Sequence, residues 1–371
     1  MKEHIRIAQL AEERKNEIES ARNLPEDLIA QVKENGLVKM WASTNCGGTE
    51  SSIWEVSEMI RSIAYHNGSL AWVVAVTGCS SLFSGFLPDA QSKLLFGDKH
   101  AMVGGFAGPS GMAILDDKDL TVTGRWSWGS GITHCSHIVG GVMVMENNKV
   151  KGTAVCFFKP EEITMIDNWH VLGLKGSHSI DYKVDSLTIP QDRWSWFPVK
   201  EPVVDAAIYK FSFLGALSIS VASVGLGLAQ RALGEIKKLA ITKSPFGIGK
   251  PLAKKPEVQA RIAEAEGNYI AAYSLMKETI AGAQKETLTQ KCSIETKARI
   301  RLATAHTTKL CGLVVQESYR IGGGSSVWEK QKLEELLRDT NVVTQHGMVS
   351  YGNYRTAGAV LLGNEVPEML L

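Results

Sequence analysis

The hydrophobic pattern of this chain changes its period twice, and this change restricts the fold more than any other feature. Residues 1–94 have apolar positions at helical spacing, most clearly between residues 52 and 66. Residues 100–200 instead show short apolar runs and two-residue alternation, separated by turn residues typical of β-strands. The turn residues 116–119 and 146–149 each join two such runs, which predicts two hairpins. Long helical segments return from residue 205 onward. The order of patterns therefore predicts an α+β protein of several domains.

We expect three domains. The sequence predicts an N-terminal α-helical domain over 1–97, a compact, mostly antiparallel β-domain or barrel over 98–202 and a C-terminal helical bundle over 203–371. The bundle begins with an apolar run over residues 211–229 that is long enough to cross a membrane. Because this run is rich in serine and glycine and leads directly into an amphipathic segment, we interpret it as a buried helix of the bundle.

The overall charge and the cysteines restrict the partners and the compartment. The 371 residues carry a net charge of +1, so we expect neither nucleic acid nor a membrane surface as a partner. The 6 cysteines are widely spread and form no CxxC pair, which is typical of reduced thiols in the cytoplasm. The N-terminal residues are charged and contain no apolar core of a signal peptide. We therefore expect a cytoplasmic protein.

The stretch from Tyr319 to Gly347 contains the first candidate site. Three consecutive glycines and two serines, 322–326, lack bulky side chains and allow main chain to approach a flat ligand. The pair Arg338-Asp339 follows, and then a single His346 directly before Gly347, which is a plausible acid or base. An ordinary loop between two helices is the alternative.

A second candidate site lies at the end of a predicted strand, in the segment GRWSWGSG over residues 124–131. Here the Ser130 hydroxyl and nearby main-chain amides are placed to face a heteroaromatic ring, with Trp126 and Trp128 as walls. The alternative is a β-turn with two core aromatic residues. The turn over residues 173–177 is able to contact a cofactor through its amides, although a plain turn fits equally well.

Two further segments complete the set of candidates. The loop over residues 243–247 is followed by several lysines, so it is able to neutralise a phosphate, or it is simply a solvated loop. His134 and His137 flank Cys135, but no carboxylate cluster accompanies them, and we predict no metal site.

Taken in order, several blocks resemble the acyl-CoA dehydrogenase superfamily over essentially the whole chain. The resembling blocks are the turn Cys46-Gly47-Gly48, the strand end 124–131, and the segments 171–193, 246–266 and 322–347. The resemblance implies an N-terminal helical domain, a central β-barrel and a C-terminal four-helix bundle that bind a flavin. Dehydrogenases of this superfamily carry a catalytic glutamate before the last glycine of the final block, whereas this chain has His346.

That difference resembles the branch of two-component flavin-dependent monooxygenases, which includes aromatic hydroxylases, dibenzothiophene monooxygenase and indole-oxidising enzymes. The resemblance implies a homotetramer that receives reduced FAD or FMN from a separate flavin reductase. It also implies that O2 and the reduced flavin form a C4a-hydroperoxyflavin, which oxygenates a small aromatic or heteroaromatic substrate. No metal takes part in this chemistry.

The resemblance also assigns roles to individual residues. His346 and Ser130 would be catalytic, with Ser130 hydrogen-bonded to the flavin N5. The expected flavin contacts are Trp126, Trp128, Ser130, Ser177, Phe246, Gly323, Ser325, Ser326 and Arg338. The expected substrate pocket consists of Trp128, Ser80, Cys79 and His346.

The segment Val76–Ser81 contains no histidine, whereas phenol hydroxylases of this branch tend to have one there. This absence favours indole over a phenol as the substrate. One alternative is an acyl-CoA dehydrogenase, for which Glu235 is the nearest candidate base. The other alternative is a flavin-binding protein of the same fold without catalytic activity.

Overall fold

The structure is a computed structural model that describes residues 2–199, 201–244, 249–367 and 370–371. Its helices lie in the predicted helical regions, and the first of these regions begins with two helices that meet at Arg14. The α-helices are α1 (Glu3–Glu13), α2 (Lys15–Ala21), α3 (Glu26–Glu34), α4 (Ile53–His66), α5 (Gly68–Ser80), α6 (Asp89–Phe96), α7 (Ala207–Lys210), α8 (Phe213–Thr242), α9 (Pro256–Thr287), α10 (Ile294–Gly322), α11 (Lys332–Val343) and α12 (Gly352–Leu361).

The strands confirm the predicted hairpins. They are β1 (Val103–Asp116), β2 (Asp119–Gly129), β3 (His137–Glu146), β4 (Lys149–Phe158), β5 (Thr164–Ile166), β6 (Ile180–Ile189) and β7 (Trp194–Trp196). The turn between Asp116 and Asp119 joins β1 to β2, and the turn between Glu146 and Lys149 joins β3 to β4. Both turns contain residues with positive φ, as short hairpin connections require.

The prediction of a closed antiparallel barrel is wrong. In the described part of the chain the strands form an open 7-stranded sheet in the order β5-β6-β2-β1-β3-β4-β7. Within it, β1 and β3 pair in parallel. The reason is that the chain leaves β2, passes through residues 130–136 and returns on the other edge of β1. Alternation within a strand shows which face is buried but not which neighbour it pairs with.

The described residues divide into two compact units. The first contains Met1–Ser52, Val73–His170 and Lys175–Phe213, and the second contains Ile53–Trp72, Val171–Leu174 and Leu214–Leu371. The first unit has a core of aromatic and aliphatic side chains around Phe83 and Phe157, whose rings meet edge to face at 5.6 Å. The three-domain division by residue number stays a prediction.

In the second unit, α8 is mostly buried, as predicted for the apolar run at its start. By length and composition alone, this helix and the segment Gly68–Gly85 are apolar enough to cross a membrane, but 78% and 89% of their most apolar windows are buried in the fold. Small residues let α8 approach α4 closely. A Cβ at Gly227 would lie 2.2 Å from the Arg61 carbonyl oxygen and 2.5 Å from the Ala64 Cβ.

We expect Gly227→Ala to lower the free energy of unfolding by about 1–3 kcal/mol, because the added methyl group overlaps backbone that cannot move independently. Gly267→Ala is the matched control, since a Cβ there meets nothing within 4 Å on the exposed face of α9. That substitution should leave stability unchanged or raise it by about 0.5–1 kcal/mol. Urea denaturation measures both values. Equal stability of the two variants would contradict this packing.

Candidate active site

The sequence-predicted site residues lie in both compact units. In the first unit, Ser130 follows the end of β2 and is buried. Its Oγ lies 2.6 Å from the Ser179 Oγ, and the Ser179 Oγ lies 2.8 Å from the Ser177 Oγ. The Gly131 amide donates to the Ser177 carbonyl at 2.9 Å, which fixes the two segments together. The serine hydroxyls therefore form a continuous hydrogen-bonded row beside the strand end.

Trp128 has an unusual conformation for a large residue. Its φ is +64°, in the left-handed region that bulky side chains rarely adopt, and its side chain is 64% exposed. The indole ring meets the Phe106 ring edge-on at 6.0 Å. Strained backbone of this kind concentrates at functional sites, where the surrounding structure holds it in place. The strain and the exposed ring together are compatible with the predicted role of Trp128 as an aromatic wall.

Trp126 does not have the predicted role. It is fully buried, its ring stacks on Tyr182 at 5.4 Å, and its indole N–H donates to the Gly141 carbonyl at 2.7 Å. Because no surface and no donor remain free, the prediction that it contacts flavin is wrong, and the alternative of a core aromatic residue is correct. Two-residue alternation would place positions 126 and 128 on the same face of the strand. The positive φ at Trp128 breaks the alternation, so only Trp126 is buried.

Two predicted substrate-pocket residues, Cys79 and Ser80, lie at the C-terminal end of α5. Cys79 is buried, and burial raises the pKa of its thiol, so it acts as a small neutral side chain. Ser80 is half-buried, and its Oγ donates to the Val76 carbonyl at 3.4 Å. Neither side chain is prepared for nucleophilic chemistry.

In the second unit, His346 lies directly before a short 3-10 turn, Gly347–Val349. Its Nδ1 accepts a hydrogen bond from the Met348 amide at 3.2 Å. The neutral ring therefore carries its proton on Nε2, which is left as the donor. Trp72 packs edge-on against the imidazole, with ring centroids 5.3 Å apart. These two contacts fix both the tautomer and the orientation of the ring.

The surroundings of His346 keep it neutral. Burial, reinforced by the positive charge of Arg301, lowers the pKa of His346 to about 4. At neutral pH the ring is therefore a hydrogen-bond donor through Nε2 and a weak base. This differs from an acid that titrates near neutral pH, which is the property that made a histidine attractive from the sequence alone.

Arg338 and Asp339 hold the segment Val171–Leu174 in place. Arg338 pairs with Glu334 one turn earlier on α11 and donates to the Leu172 carbonyl at 2.9 Å. The Asp339 carboxylate accepts from the Leu174 amide at 2.6 Å. A Cβ at Gly173 would lie 2.4 Å from the Arg338 carbonyl oxygen. The guanidinium of Arg338 thus has partners within the unit, and its contact with a flavin stays a prediction.

The glycine- and serine-rich loop follows α10 as a short 3-10 helix, Gly323–Val327. Gly323 has a φ of +54° and is exposed, and Ser325 is half-buried. Ser326 is buried, and its Oγ has no hydrogen-bond partner among the described residues. The Lys243 ammonium donates to the Gly322 carbonyl at 2.6 Å and supports the start of the loop. Phe246, another predicted flavin contact, lies outside the described residues.

Sequence reasoning missed three residues of these groups. Ser179 stands two positions after Ser177, and this S-x-S spacing was the available signal for the row of hydroxyls. Trp72 contacts His346 although 274 residues separate them in the sequence, and no local pattern indicates such a contact. Arg301 lies on α10 and contacts the turn after His346, which also has no local sequence signal.

Each unit has one feature whose chemistry suits a flavin. In the second unit the buried Ser326 hydroxyl has no polar partner among the described residues, and in the first unit the exposed Trp128 indole offers a flat aromatic surface. Among the described residues, no group of three or more His, Cys, Asp or Glu side chains is placed to hold a metal ion.

Comparison with known proteins finds a family match in the second half of the chain and relatives along nearly its whole length. Residues 219–351 match the family described as acyl-CoA dehydrogenase, C-terminal domain. An indole-3-acetate monooxygenase of Acinetobacter baumannii is 27% identical over 352 residues, which cover 94% of this chain and 90% of that protein. The oxygenase component of a p-hydroxyphenylacetate 3-hydroxylase from the same species is 24% identical over 365 residues, which cover 95% of this chain and 85% of the relative.

A solved structure extends the comparison to the fold. XiaF from Streptomyces sp., in complex with FADH2 and glycerol, superposes with a TM-score of 0.92 at 19% identity, covering 98% of this chain and 96% of XiaF. The predicted resemblance to the acyl-CoA dehydrogenase superfamily is confirmed by the match over residues 219–351 and by the relatives, and the acyl-CoA dehydrogenase-like fold is confirmed by the structural likeness. One of these relatives is named a monooxygenase and the other the oxygenase component of a hydroxylase, and the predicted class of flavin-dependent monooxygenases is confirmed as well.

Proposed function

We propose that this chain is the oxygenase component of a two-component monooxygenase that oxygenates a small aromatic or heteroaromatic ring, with an indole ring as the foremost candidate. It receives reduced FAD or FMN from a separate flavin reductase and uses O2. The names of the two Acinetobacter relatives support the reaction and the separate reductase, and the FADH2 complex of XiaF supports the cofactor. The observation that carries the proposal is the neutral, oriented imidazole of His346.

His346 distinguishes oxygenation from dehydrogenation on chemical grounds. A dehydrogenase of this superfamily carries a glutamate here as the base that removes a proton from carbon, whereas this chain has a buried imidazole whose pKa is lowered to about 4. The same imidazole donates a hydrogen bond from Nε2 without first acquiring a proton. This suits a site in which oxygen bound near the ring must be held and protected from loss as peroxide.

We assign the remaining residues to binding the flavin and to keeping water out of the site. When bound, the reduced flavin supplies the electrons that activate O2. We assign the row of hydroxyls that ends at Ser130, with Ser177 behind it, to binding one edge of the flavin. Trp128 covers the ring, and Gly323, Ser325 and Ser326 contact the flavin through main chain and hydroxyl groups. Ser80 and Cys79, which carry no charge, line the substrate pocket and keep it poor in water.

The proposal extends to the organisation of the protein. We propose a cytoplasmic homotetramer whose subunit has an N-terminal helical domain over 1–97, a β-domain over 98–202 and a four-helix bundle over 203–371. Cytoplasmic location is supported by the free thiols, since all 6 cysteines are buried and unpaired by disulfides. The packing of α9, α11 and α12 against α10 supports the bundle.

The dehydrogenase alternative loses its candidate base in the structure. Glu235 is paired with Arg231 at 2.9 Å and lies 3.5 Å from the Lys238 ammonium on the surface of α8. Anaerobic reduction of an electron-accepting dye by acyl-CoA esters tests this alternative directly. We expect no reduction of the dye, and robust dye reduction without O2 would refute the proposed monooxygenase function.

A turnover screen separates the proposed enzyme from a flavin-binding protein without activity. The protein is supplied with reduced flavin by a reductase and offered indole, substituted indoles and phenols, and the products are identified by mass. We expect a product heavier by one oxygen atom with an indole. Formation of hydrogen peroxide alone with every aromatic compound would favour the inactive alternative.

We expect Ser326→Ala to weaken the binding of reduced flavin by about 5- to 10-fold, since the flavin would lose one hydrogen bond. In the absence of flavin, the variant should be as stable as the native protein, because its hydroxyl has no partner to lose. Anaerobic fluorescence titration gives the affinity, and urea denaturation gives the stability. Ser318→Ala is the control, as that Oγ donates to the Val314 carbonyl inside α10. Unchanged flavin affinity of Ser326→Ala would argue against the contact.

A further inference from the structure

Arg301 is a buried cation beside the turn that follows His346. Its side chain extends from α10 and the residue is 4% exposed. One terminal nitrogen, Nη1, lies 3.0 Å from the Met348 Sδ and 3.5 Å from the Met348 carbonyl oxygen. Its Nε is buried and has no hydrogen-bond partner among the described residues. The guanidinium therefore has one weakly engaged nitrogen and one unused donor.

The other partly buried arginines of the same unit are all paired. Those pairs are Arg61 with Glu58, Arg231 with Glu235, Arg261 with Glu317 and Arg338 with Glu334. Arg301 is more deeply buried, yet no carboxylate in the described part of the chain pairs with it. A buried charge without a counter-ion is costly, and proteins rarely keep one that has no partner. Burial lowers the pKa of Arg301 only to about 10, so the side chain stays charged at neutral pH.

Arg301 and His346 are connected through one short turn. Met348, which contacts the guanidinium, also donates its amide to the His346 Nδ1 at 3.2 Å. The charge of Arg301 also acts on the imidazole and lowers its pKa. An anion bound at Arg301 would therefore lie beside the group to which we assign the oxygenation chemistry.

We propose that Arg301 binds an oxyanion, and that this oxyanion is the carboxylate of an aromatic substrate with a short acidic side chain. The inference rests on the proposed function and specifies its substrate class. The unpaired Nε and the terminal nitrogen on the same edge of the guanidinium, Nη2, form a donor pair from which a carboxylate accepts two hydrogen bonds. Because His346 is neutral, the local charge is a single positive one, which a carboxylate monoanion neutralises. A phosphate of the flavin offers the same oxyanion chemistry but would bring excess negative charge.

The experiment compares ligands that differ only in charge. Binding of indole-3-acetate and of its uncharged analogue indole-3-acetamide is measured anaerobically by calorimetry, on protein loaded with reduced flavin. We expect the native protein to bind the acid at least about 10-fold more tightly than the amide. Arg301→Met should abolish this preference and leave the affinity for the amide unchanged, while Arg301→Lys should retain part of it. No preference in the native protein, or equal losses for both ligands in Arg301→Met, would overturn the proposal.

A second arm separates the two sources of the oxyanion. Reduced FAD and reduced riboflavin, which lacks phosphate, are titrated into native protein and Arg301→Met. We expect the variant to change neither affinity. A selective loss of FAD affinity would assign Arg301 to the flavin phosphate and overturn the substrate assignment.

The result does not depend on turnover, because both arms are carried out without O2. An inactive protein that prefers the acid would leave the inference standing and refute the proposed function. Arg301→Met should not melt at a lower temperature than the native protein, since it removes an unpaired buried charge. If the variant does not fold, the native comparison of acid with amide and the Arg301→Lys variant still decide the question.

Discussion

Replacing His346 by alanine is expected to reduce the product formed per O2 consumed by about 10-fold or more, with the missing oxygen recovered as hydrogen peroxide. The Nε2–H donor is lost, while the fold depends little on this ring. The contacts removed are one hydrogen bond from the Met348 amide at 3.2 Å and the edge of Trp72. Oxygen uptake, peroxide and product are measured together at saturating reduced flavin.

The conservative variant His346→Gln separates the possible roles of the ring. A glutamine amide donates a hydrogen bond but does not take up a proton near neutral pH, so it should restore part of the coupling if donation is what matters. His306→Ala is the control, because His306 is a half-buried histidine of the same unit that bonds to the Tyr354 hydroxyl at 3.0 Å. Native coupling in His346→Ala would remove this residue from the mechanism.

The stability of the protein is expected to fall by about 2 kcal/mol between pH 7 and pH 5 because of His346 alone. The pKa of His346 is about 4 in the folded protein and has its ordinary value near 6.5 in the unfolded chain. Above about pH 6.5 His346 is neutral in both the folded and the unfolded state, so it costs no stability there. As the pH falls from about 6.5 to 4, only the unfolded state takes up the proton, so folding is progressively disfavoured. Below about 4 no further loss comes from this residue.

This contribution is measured as a difference between two proteins, since other histidines also titrate in this range. Burial lowers the pKa of His134, His137 and His178 as well. Urea denaturation of the native protein and of His346→Gln at pH 7 and pH 5 isolates the effect of His346. The native protein should lose about 2 kcal/mol more than the variant. Identical pH dependence would mean that His346 is solvated and titrates normally.

Much of the fold follows from local patterns in the sequence. The change of hydrophobic period located the helical and strand regions, and the turn residues located both hairpins. The neighbours in the sheet did not follow, because β1 pairs in parallel with β3, and alternation within a strand carries no information on its partner. The closed barrel was therefore a wrong extrapolation from correct hairpins.

The sequence pointed to those candidate site residues whose position along the chain is itself a signal. His346 was found from its spacing after Arg338-Asp339, and Ser130 from its place after a strand. The sequence did not reveal that Arg338 is engaged with Glu334 and Leu172. It also gave no sign that Arg301 lacks an acidic partner, since pairing is a property of the folded chain. The charge on which the inferred substrate class depends, that of Arg301, could therefore be recognised only from the structure.

The origin of the oxygen atom in the product tests the central claim most directly. Native protein, a flavin reductase and free flavin are incubated with an indole substrate under oxygen-18-labelled O2, and the product is analysed by mass spectrometry. If the chain is a flavin-dependent monooxygenase, each product molecule will contain one labelled oxygen atom. A product without label, or consumption of O2 that yields only labelled hydrogen peroxide, would contradict it.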